Sequence, residues 1–439
     1  MTSPDEPDEP DAGGAEPAQG LWARLRRHPL ARLGPGLITG VADDDPSGIA
    51  TYSQAGAQFG LNMLWTMPLV FPLMAAVQSI CARIGRVTGM GLAANIRLTF
   101  PPPVLALVVG LLVVANTLNI GADVAAMGEV AELVTGLNRH GMTLLFVVVS
   151  LALQIFIPYH HYVSFLKWLS LSLLAYAAVL FTVEVPWAEV VRRTVWPTLS
   201  FSAAAAMVVV GVFGTTISPY LFFWQASEEV EDMLRQPERR ALRDDPVAAP
   251  AELRRIAWDT WSGMLYSDVT AFFIMLATAV TLHAAGITQI ETAAQAATAL
   301  RPLAGDFAFL LFAIGILGVG LIGVPVLAGS AAYAVSEGMG WRWSLERTPT
   351  EAPGFYGVIA VSVLAGLAIQ YSPISPMKAL FWSAVINGVV AVPLMVVILV
   401  LASKRSVMGN LTAARPILGL GWLAVLAMAA AVVRMVLPG

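Results

Sequence analysis

The sequence predicts an all-α integral membrane protein of about eleven transmembrane helices, built as a 5+5 inverted repeat in which helices 1 and 6 are broken. Three observations carry this reading. Of 439 residues, 57% are hydrophobic and only 12% are charged. A soluble domain carries roughly 25% charged residues, so this chain lacks the polar surface to solvate a globule of its size. The apolar residues also fall in blocks of the ~20 residues needed to cross hydrocarbon. Finally, two of those blocks, at matching positions in two halves of the chain, are interrupted by runs of Pro, Gly and polar residues.

The blocks place spans near 33–59, 61–81, 103–134, 142–158, 162–183, 198–229, 257–283, 305–335, 355–371, 376–402 and 416–437. Several exceed 20 residues, so tilt or a break is expected. Residues 1–20 hold six acids and no base, and 1–30 reads as a disordered acidic cytoplasmic tail with a basic juxtamembrane segment. No cleavable signal peptide is expected ahead of the first span. Residues 31–437 form a single transmembrane domain, with repeat one at about 33–183, repeat two at about 198–402 and an extra helix at about 416–437.

Basic residues stay on the cytoplasmic side. Arg24, Arg26, Arg27 and Arg32 precede the first span, which puts the N-terminus inside. With eleven spans, eighteen basic residues then fall inside and six outside, and the C-terminus lies outside. The strong preference for Arg over Lys points to a GC-rich bacterial genome, hence a bacterial inner membrane. Cys81 is the only cysteine, so disulfides, zinc ribbons and CxxC redox pairs are excluded within one chain.

A charged connection at about 230–256 divides the chain into halves of five spans. Odd-numbered halves joined in series insert with opposite orientation, the topology of an inverted repeat. The first span of each half is interrupted. Span 1 carries Asp43, Asp44, Asp45, Pro46, Ser47 and Gly48, and span 6 carries Gly214, Thr215, Thr216, Ile217, Ser218, Pro219 and Tyr220. Proline removes a backbone donor and clashes with the preceding turn. Open backbone at mid-membrane survives only when buried in protein or lining a wet cavity, and paired breaks point to a transport site. The bland alternative is a pair of structural proline kinks.

An ionised carboxylate at the bilayer centre costs at least ~2.5–3.5 kcal/mol, and here three stand in a row. A cation offsets that cost, and opened helix ends add carbonyl oxygens that favour one. Thr215, Thr216 and Ser218 add hydroxyls. The ligand set is all oxygen, which suits Mg2+, Ca2+ and Mn2+, and Mg2+ keeps several of its waters. The donors read from the breaks themselves are Asp45, the hydroxyls of Thr215, Thr216 and Ser218, and opened carbonyls. Asp43 and Asp44 either line an intracellular vestibule or cap the first half of span 1 at the surface.

The stretch GPGLITGVADDDPSGIATYSQAGAQFGLNMLW resembles the first span of the Nramp divalent-metal transporters, which carry Asp-Pro-Gly-Asn before a similar QAGAQFG run. The resemblance implies the LeuT-like fold, with metal held between broken helices 1 and 6. It places the family's metal-binding Asp on Asp45, its Pro on Pro46, its Gly on Ser47 and its Asn ligand on Gly48. The Ala-x-x-Met-Pro-His pattern of span 6 falls on Thr215, Ser218, Pro219 and Tyr220, and the Asp-x-x-Glu proton route of span 3 falls on Asp123 and Ala126. The resemblance thus implies metal positions at Asp45, Gly48, Thr215 and Ser218, with the Ala42 and Thr215 carbonyls contributing and Ala42, Asp44, Thr216, Tyr220, Asp123 and Asn387 lining the site; the family's thioether, Asn, His and Glu are missing. A thioether favours softer metals, so its loss to a hydroxyl shifts preference toward hard ions. The variant is similar to the Nramp-related magnesium transporters, which share DPSG and TTISPY. That likeness implies passage of Mg2+ and Mn2+ without proton coupling.

Other intramembrane polar residues have expected roles. Asn387 either faces the cavity or makes an interhelical hydrogen bond. Asn116 and Asn119 share a stripe with Asp123 and are read as packing groups. Asp268 is expected to pair with an Arg of the 230–256 connection, His160 and His161 to lie at the interface, and Cys81 to be inert.

The resulting expectation is a divalent-metal transporter working by alternating access. It is not an enzyme, takes the metal as substrate rather than cofactor, has the lipid bilayer as its surroundings, binds no nucleic acid and is a monomer. The rivals are a proton-coupled manganese or iron importer, an amino-acid transporter on the same scaffold, and a membrane enzyme or scaffold. Three aspartates without a basic partner disfavour the amino-acid reading, and no nucleophile–base pair supports an enzyme.

Overall fold

The computed structural model describes residues 35–157, 169–198, 202–236 and 238–437. The acidic tail, His160 and His161 lie outside the described residues. Among those described there is no strand.

Each expected span corresponds to a helical segment. Span 1 is α1 (Pro35–Asp43) and α2 (Pro46–Phe59). Then come α3 (Thr66–Thr88), α4 (Leu92–Thr99, a short connecting helix), α5 (Pro102–Thr135) and α6 (Arg139–Phe156). Span 5 is described from Leu169 and includes α7 (Leu174–Val179); α8 (Trp187–Val195) is a short amphipathic helix after it. Span 6 is α9 (Ala203–Thr216) and α10 (Pro219–Leu234). The rest are α11 (Ala249–Thr278), α12 (Ala308–Met339), α13 (Pro353–Leu367), α14 (Pro376–Ser403) and α15 (Arg415–Val436).

The lipid is a poor partner for polar backbone, so the two broken spans are placed where protein surrounds them. Of the most apolar stretch of α9–α10, 89% is buried, against 22% for α6 and for α15. The broken helices therefore run through the centre, with α6 and α15 at the periphery. Large apolar side chains such as Leu107, Val148, Phe181, Val361 and Leu426 point outward, as a surface facing hydrocarbon requires.

Glycine sets how closely helices approach the breaks. A Cβ on Gly40 would lie 2.2 Å from the Gly263 carbonyl oxygen, and one on Gly214 would lie 2.1 Å from that of Ala384. Thus α1 packs backbone to backbone on α11, and α9 on α14.

One element differs from its expectation. About half of the 230–256 connection is helix, since α10 runs to Leu234 and α11 starts at Ala249. Part of its charge enters a buried polar network, while Glu238, Arg240, Arg243, Asp244 and Arg254 are exposed. Glu229 pairs with Arg255 at 2.6 Å, and Glu231 accepts from Tyr333, Ser344 and the Leu345 N–H.

Candidate metal site at the helix breaks

Local chemistry builds both breaks. The α1 helix ends at Asp43, and Asp45 takes an extended conformation (φ −65°, ψ 171°) as N-cap of α2. Its Oδ1 accepts from the Gly48 N–H at 2.8 Å and the Ser47 hydroxyl at 2.6 Å. Pro46, at the first helical position, has no N–H to leave unsatisfied. The second break has the same form: α9 ends at Thr216, Ser218 is extended, and Pro219 starts α10. The Ser218 hydroxyl turns back and donates to the carbonyls of Gly214 and Thr215, at 3.0 and 2.5 Å. Its lone pairs remain able to accept.

The breaks face each other. The Tyr220 hydroxyl donates to the Ala42 carbonyl at 2.9 Å, tying α10 to the end of α1. A Cβ on Gly48 would lie 3.2 Å from the Thr215 hydroxyl and 3.5 Å from the Asp43 carbonyl oxygen. Asp45, Gly48, Thr215, Ser218, Ala42 and Tyr220 are thus brought together. All are buried, Asp45 to 1% exposure. A separate cavity of about 380 Å3, lined by Ala50, Gln54, Gln58, Val208, Met377 and Phe381, lies among α2, α9 and α14; none of the site residues lines it.

Thr216 departs from its expected place, because its hydroxyl is turned into its own helix, onto the Val212 and Phe213 carbonyls. Asn387 is fully buried with no hydrogen bond on either polar atom, so the interhelical bond is absent. Its neighbour Gly388 packs at Gly214, which puts Asn387 at the level of the second break.

Asn119 also departs from its expected packing role. Its amide donates to Asp45 Oδ2 at 2.7 Å, whereas Asn116 does serve packing, on Leu327 O and Ser330. Asp123, one turn from Asn119, lies near Asp45 and the Ser47 backbone, yet neither of its oxygens makes a hydrogen bond. The polar stripe on α5 was visible in the sequence; its register against Asp45 was not.

Asp43 and Asp44 are 0% and 1% exposed, so a cap at the surface is excluded. Both carboxylates meet Ser267 of α11, from Asp43 Oδ2 at 2.5 Å and Asp44 Oδ1 at 3.0 Å. Asp268 does not pair with an arginine among the described residues: Arg255 is held by Glu229 and Glu252, and Arg239 by Asp232. Its burial beside the α1 end keeps it from reaching them. Gly323 of α12 closes the remaining side, where a Cβ would lie 3.2 Å from the Asp45 Cβ.

Among the described residues, no three Asp, Glu, His or Cys groups converge to hold a bare metal ion. One carboxylate with carbonyls and hydroxyls is an all-oxygen donor set, which suits a hard cation.

The family model for natural resistance-associated macrophage protein-like (Nramp) proteins matches residues 36–438. The divalent metal cation transporter MntH of Acidiphilium cryptum is 28% identical over 404 residues, covering 88% of this chain and 85% of that protein. The MntH of Klebsiella pneumoniae is 26% identical, covering 90% and 91%. Among solved structures, a manganese transporter of Eremococcus coleocola superposes with TM-score 0.72 at 17% identity, covering 95% of this chain and 87% of that one. A nucleobase-cation-symport-1 family transporter in a closed conformation gives 0.56 at 13% identity, with 92% of each covered. These likenesses show the fold, a LeuT-like helical bundle.

Proposed function

The chain belongs to the Nramp family, and from that premise we propose that it carries divalent metal ions, Mg2+ first and Mn2+ second, by alternating access and without moving protons. We place it as a monomer in a bacterial inner membrane, N-terminus inside and C-terminus outside, with repeats at about 33–183 and 198–402. Asp45 neutralises part of the ion's charge. The Ala42 and Thr215 carbonyls, the Thr215 and Ser218 hydroxyls and retained water complete its shell.

The observation that carries the magnesium reading is that both Gly48 and Ser218 lie against Thr215, Gly48 beside its hydroxyl and Ser218 on its carbonyl. Where a side-chain amide and a thioether would strip and grip a softer metal, this chain offers bare backbone and a hydroxyl. Tyr220 spends its proton on the Ala42 carbonyl, which leaves it structural. Inward flux is driven by the membrane potential, about 2.3 kcal/mol per charge per 100 mV and so about 4.6 for a dication.

A proton-coupled manganese importer is the second reading. The curated relatives are named as divalent metal cation transporters, and Asp123 remains as an unpaired buried acid near Asp45. Proteoliposomes carrying a Mg2+ dye and a pH dye separate the two. Mg2+ entry with an unchanged lumenal pH is expected. Acidification on adding metal, or Cd2+ outcompeting Mg2+ by orders of magnitude, selects the second reading.

A further inference from the structure

We propose that Asn119 of α5 belongs to the metal site: its amide N–H holds one Asp45 oxygen in place, and its Oδ1 is a ligand to the ion, the side-chain amide oxygen that Gly48 cannot supply. The inference rests on the reading of Asp45 as a metal ligand.

The hydrogen bonds at Asp45 leave one oxygen with a free lone pair. A carboxylate has about four lone-pair sites, two on each oxygen. Oδ1 accepts from the Ser47 hydroxyl and the Gly48 N–H, both in the first turn of α2. Among the described residues Oδ2 has a single hydrogen-bond donor, Asn119 Nδ2, at 2.7 Å. The open position on the carboxylate is therefore on Oδ2, beside Asn119.

Charge fixes which way the amide faces. An ionised carboxylate only accepts, so the Asn119 NH2 meets Asp45 and its carbonyl end must find a donor of its own. It finds none: Asn119 is fully buried and its Oδ1 has no hydrogen bond. Leaving a buried acceptor unpaired is costly. A cation on Asp45 Oδ2 relieves that cost, because amide carbonyls suit the same hard ions that carboxylates do.

The fold mounts this side chain firmly. Helix α5 is continuous from Pro102 to Thr135. One turn before Asn119, the Asn116 amide donates to Leu327 O and the Ser330 hydroxyl of α12, at 2.8 and 2.7 Å, which sets the register of α5 on α12. Gly323, one turn before Leu327, is the α12 residue against the Asp45 Cβ. On α13, a Cβ at Gly366 would lie 3.0 Å from the Gly121 nitrogen and 3.2 Å from the Thr117 oxygen, so α13 packs on the α5 backbone just before and just after Asn119. The other proposed protein ligands all come from the two breaks; Asn119 adds one from an unbroken helix.

Calorimetric titration of Mn2+ and Cd2+ to the purified full chain tests this. Loss of a ligand and of a hydrogen bond to a charged group predicts that Asn119→Ala weakens Mn2+ binding by roughly ten- to hundredfold. Asn116→Ala, which removes a buried amide from the same helix, is expected to lower Tm yet keep the Mn2+ Kd within about threefold of wild type. Asn119→Cys reports contact, since a thiolate favours softer metals. It should bind Cd2+ more tightly than Asn119→Ala does and show a Cd2+–thiolate charge-transfer band in the ultraviolet, which wild type, with only its buried Cys81, should lack. An Asn119→Ala variant within about threefold of wild type for Mn2+, or no such band in Asn119→Cys, overturns the inference. Asp45→Asn separates the two levels: if it loses Mn2+ while neither Asn119 variant changes metal binding, Asp45 stands and the role of Asn119 falls. If it keeps wild-type affinity, the Asp45 reading falls and takes this inference with it.

Discussion

Replacing Asp45 separates its structural role from its ionic one, because the side chain does both. It caps α2 and accepts from the Gly48 N–H, Ser47 and Asn119. Asp45→Asn keeps an acceptor for the cap, and Asn119 can turn its amide to meet the new donor through its unpaired Oδ1. Asp45→Ala removes every one of those bonds; loss of the cap alone costs about 1 kcal/mol, and each buried donor left unpaired about 1–3 kcal/mol. The ionic part is larger. A dication about 4 Å from the carboxylate gains about 8 kcal/mol at an effective dielectric of 20. Stripping part of the water from the ion takes back several kcal/mol. The balance, about 3–4 kcal/mol, corresponds to about two to three powers of ten in Kd. Calorimetric titration of Mn2+ should thus show both variants losing affinity alike, while only Ala lowers Tm markedly. An Asn variant that binds within threefold of wild type would refute the reasoning.

Four other outcomes are expected. Gly48→Asn restores the missing side chain against Thr215 at 3.2 Å and Tyr52 at 3.3 Å; in liposomes it should depress Mg2+ flux more than Mn2+ flux, and equal losses would count against the hydration argument. Gly214→Ala drives a methyl into the Ala384 carbonyl at 2.1 Å and should cost at least about 1–3 kcal/mol, read as a lower Tm. Gly110→Ala, with nothing within 4 Å, should be neutral or gain about 0.5–1 kcal/mol. On α8, hydrogen bonds from Arg192 and Arg193 hold the Glu189 carboxyl down at about 2, below its usual 4.5. A depressed carboxylate stabilises the fold above its unfolded value and loses that contribution as pH falls from about 4.5 through 2. Chemical-shift titration of Glu189 should show this, and Arg192→Gln should raise the midpoint.

The breaks were legible because their signals are local. Asp45–Pro46 and Ser218–Pro219 each spell an N-cap followed by a proline at the first helical position, and both helices open there. The approximate positions of the spans followed from apolar run length, but not their ends: α3 runs Thr66–Thr88 where 61–81 was expected, and α11 starts at Ala249 rather than 257. The partners of Asp45 and Asp43 were not legible, because Asn119 and Ser267 lie 74 and 224 residues away and one sequence gives no register between distant helices. Asp268 carried a usable signal, since an acid inside a span is a functional candidate by default; assigning it to an arginine ignored that the charges of α10 and α11 could satisfy each other.

The row Asp43–Asp44–Asp45 also bears on how the chain enters the membrane. Three aspartates at helix centre cost about 8–10 kcal/mol on the insertion scale, while Leu37, Ile38, Val41, Ile49 and Phe59 return at most about 3. Residues 35–59 therefore do not partition stably into lipid by themselves. Their hydroxyl partner Ser267 is synthesised 224 residues after Asp43, so the segment emerges early and settles late. Its bilayer embedding is a tertiary event, completed by helix α11 rather than by hydrophobicity.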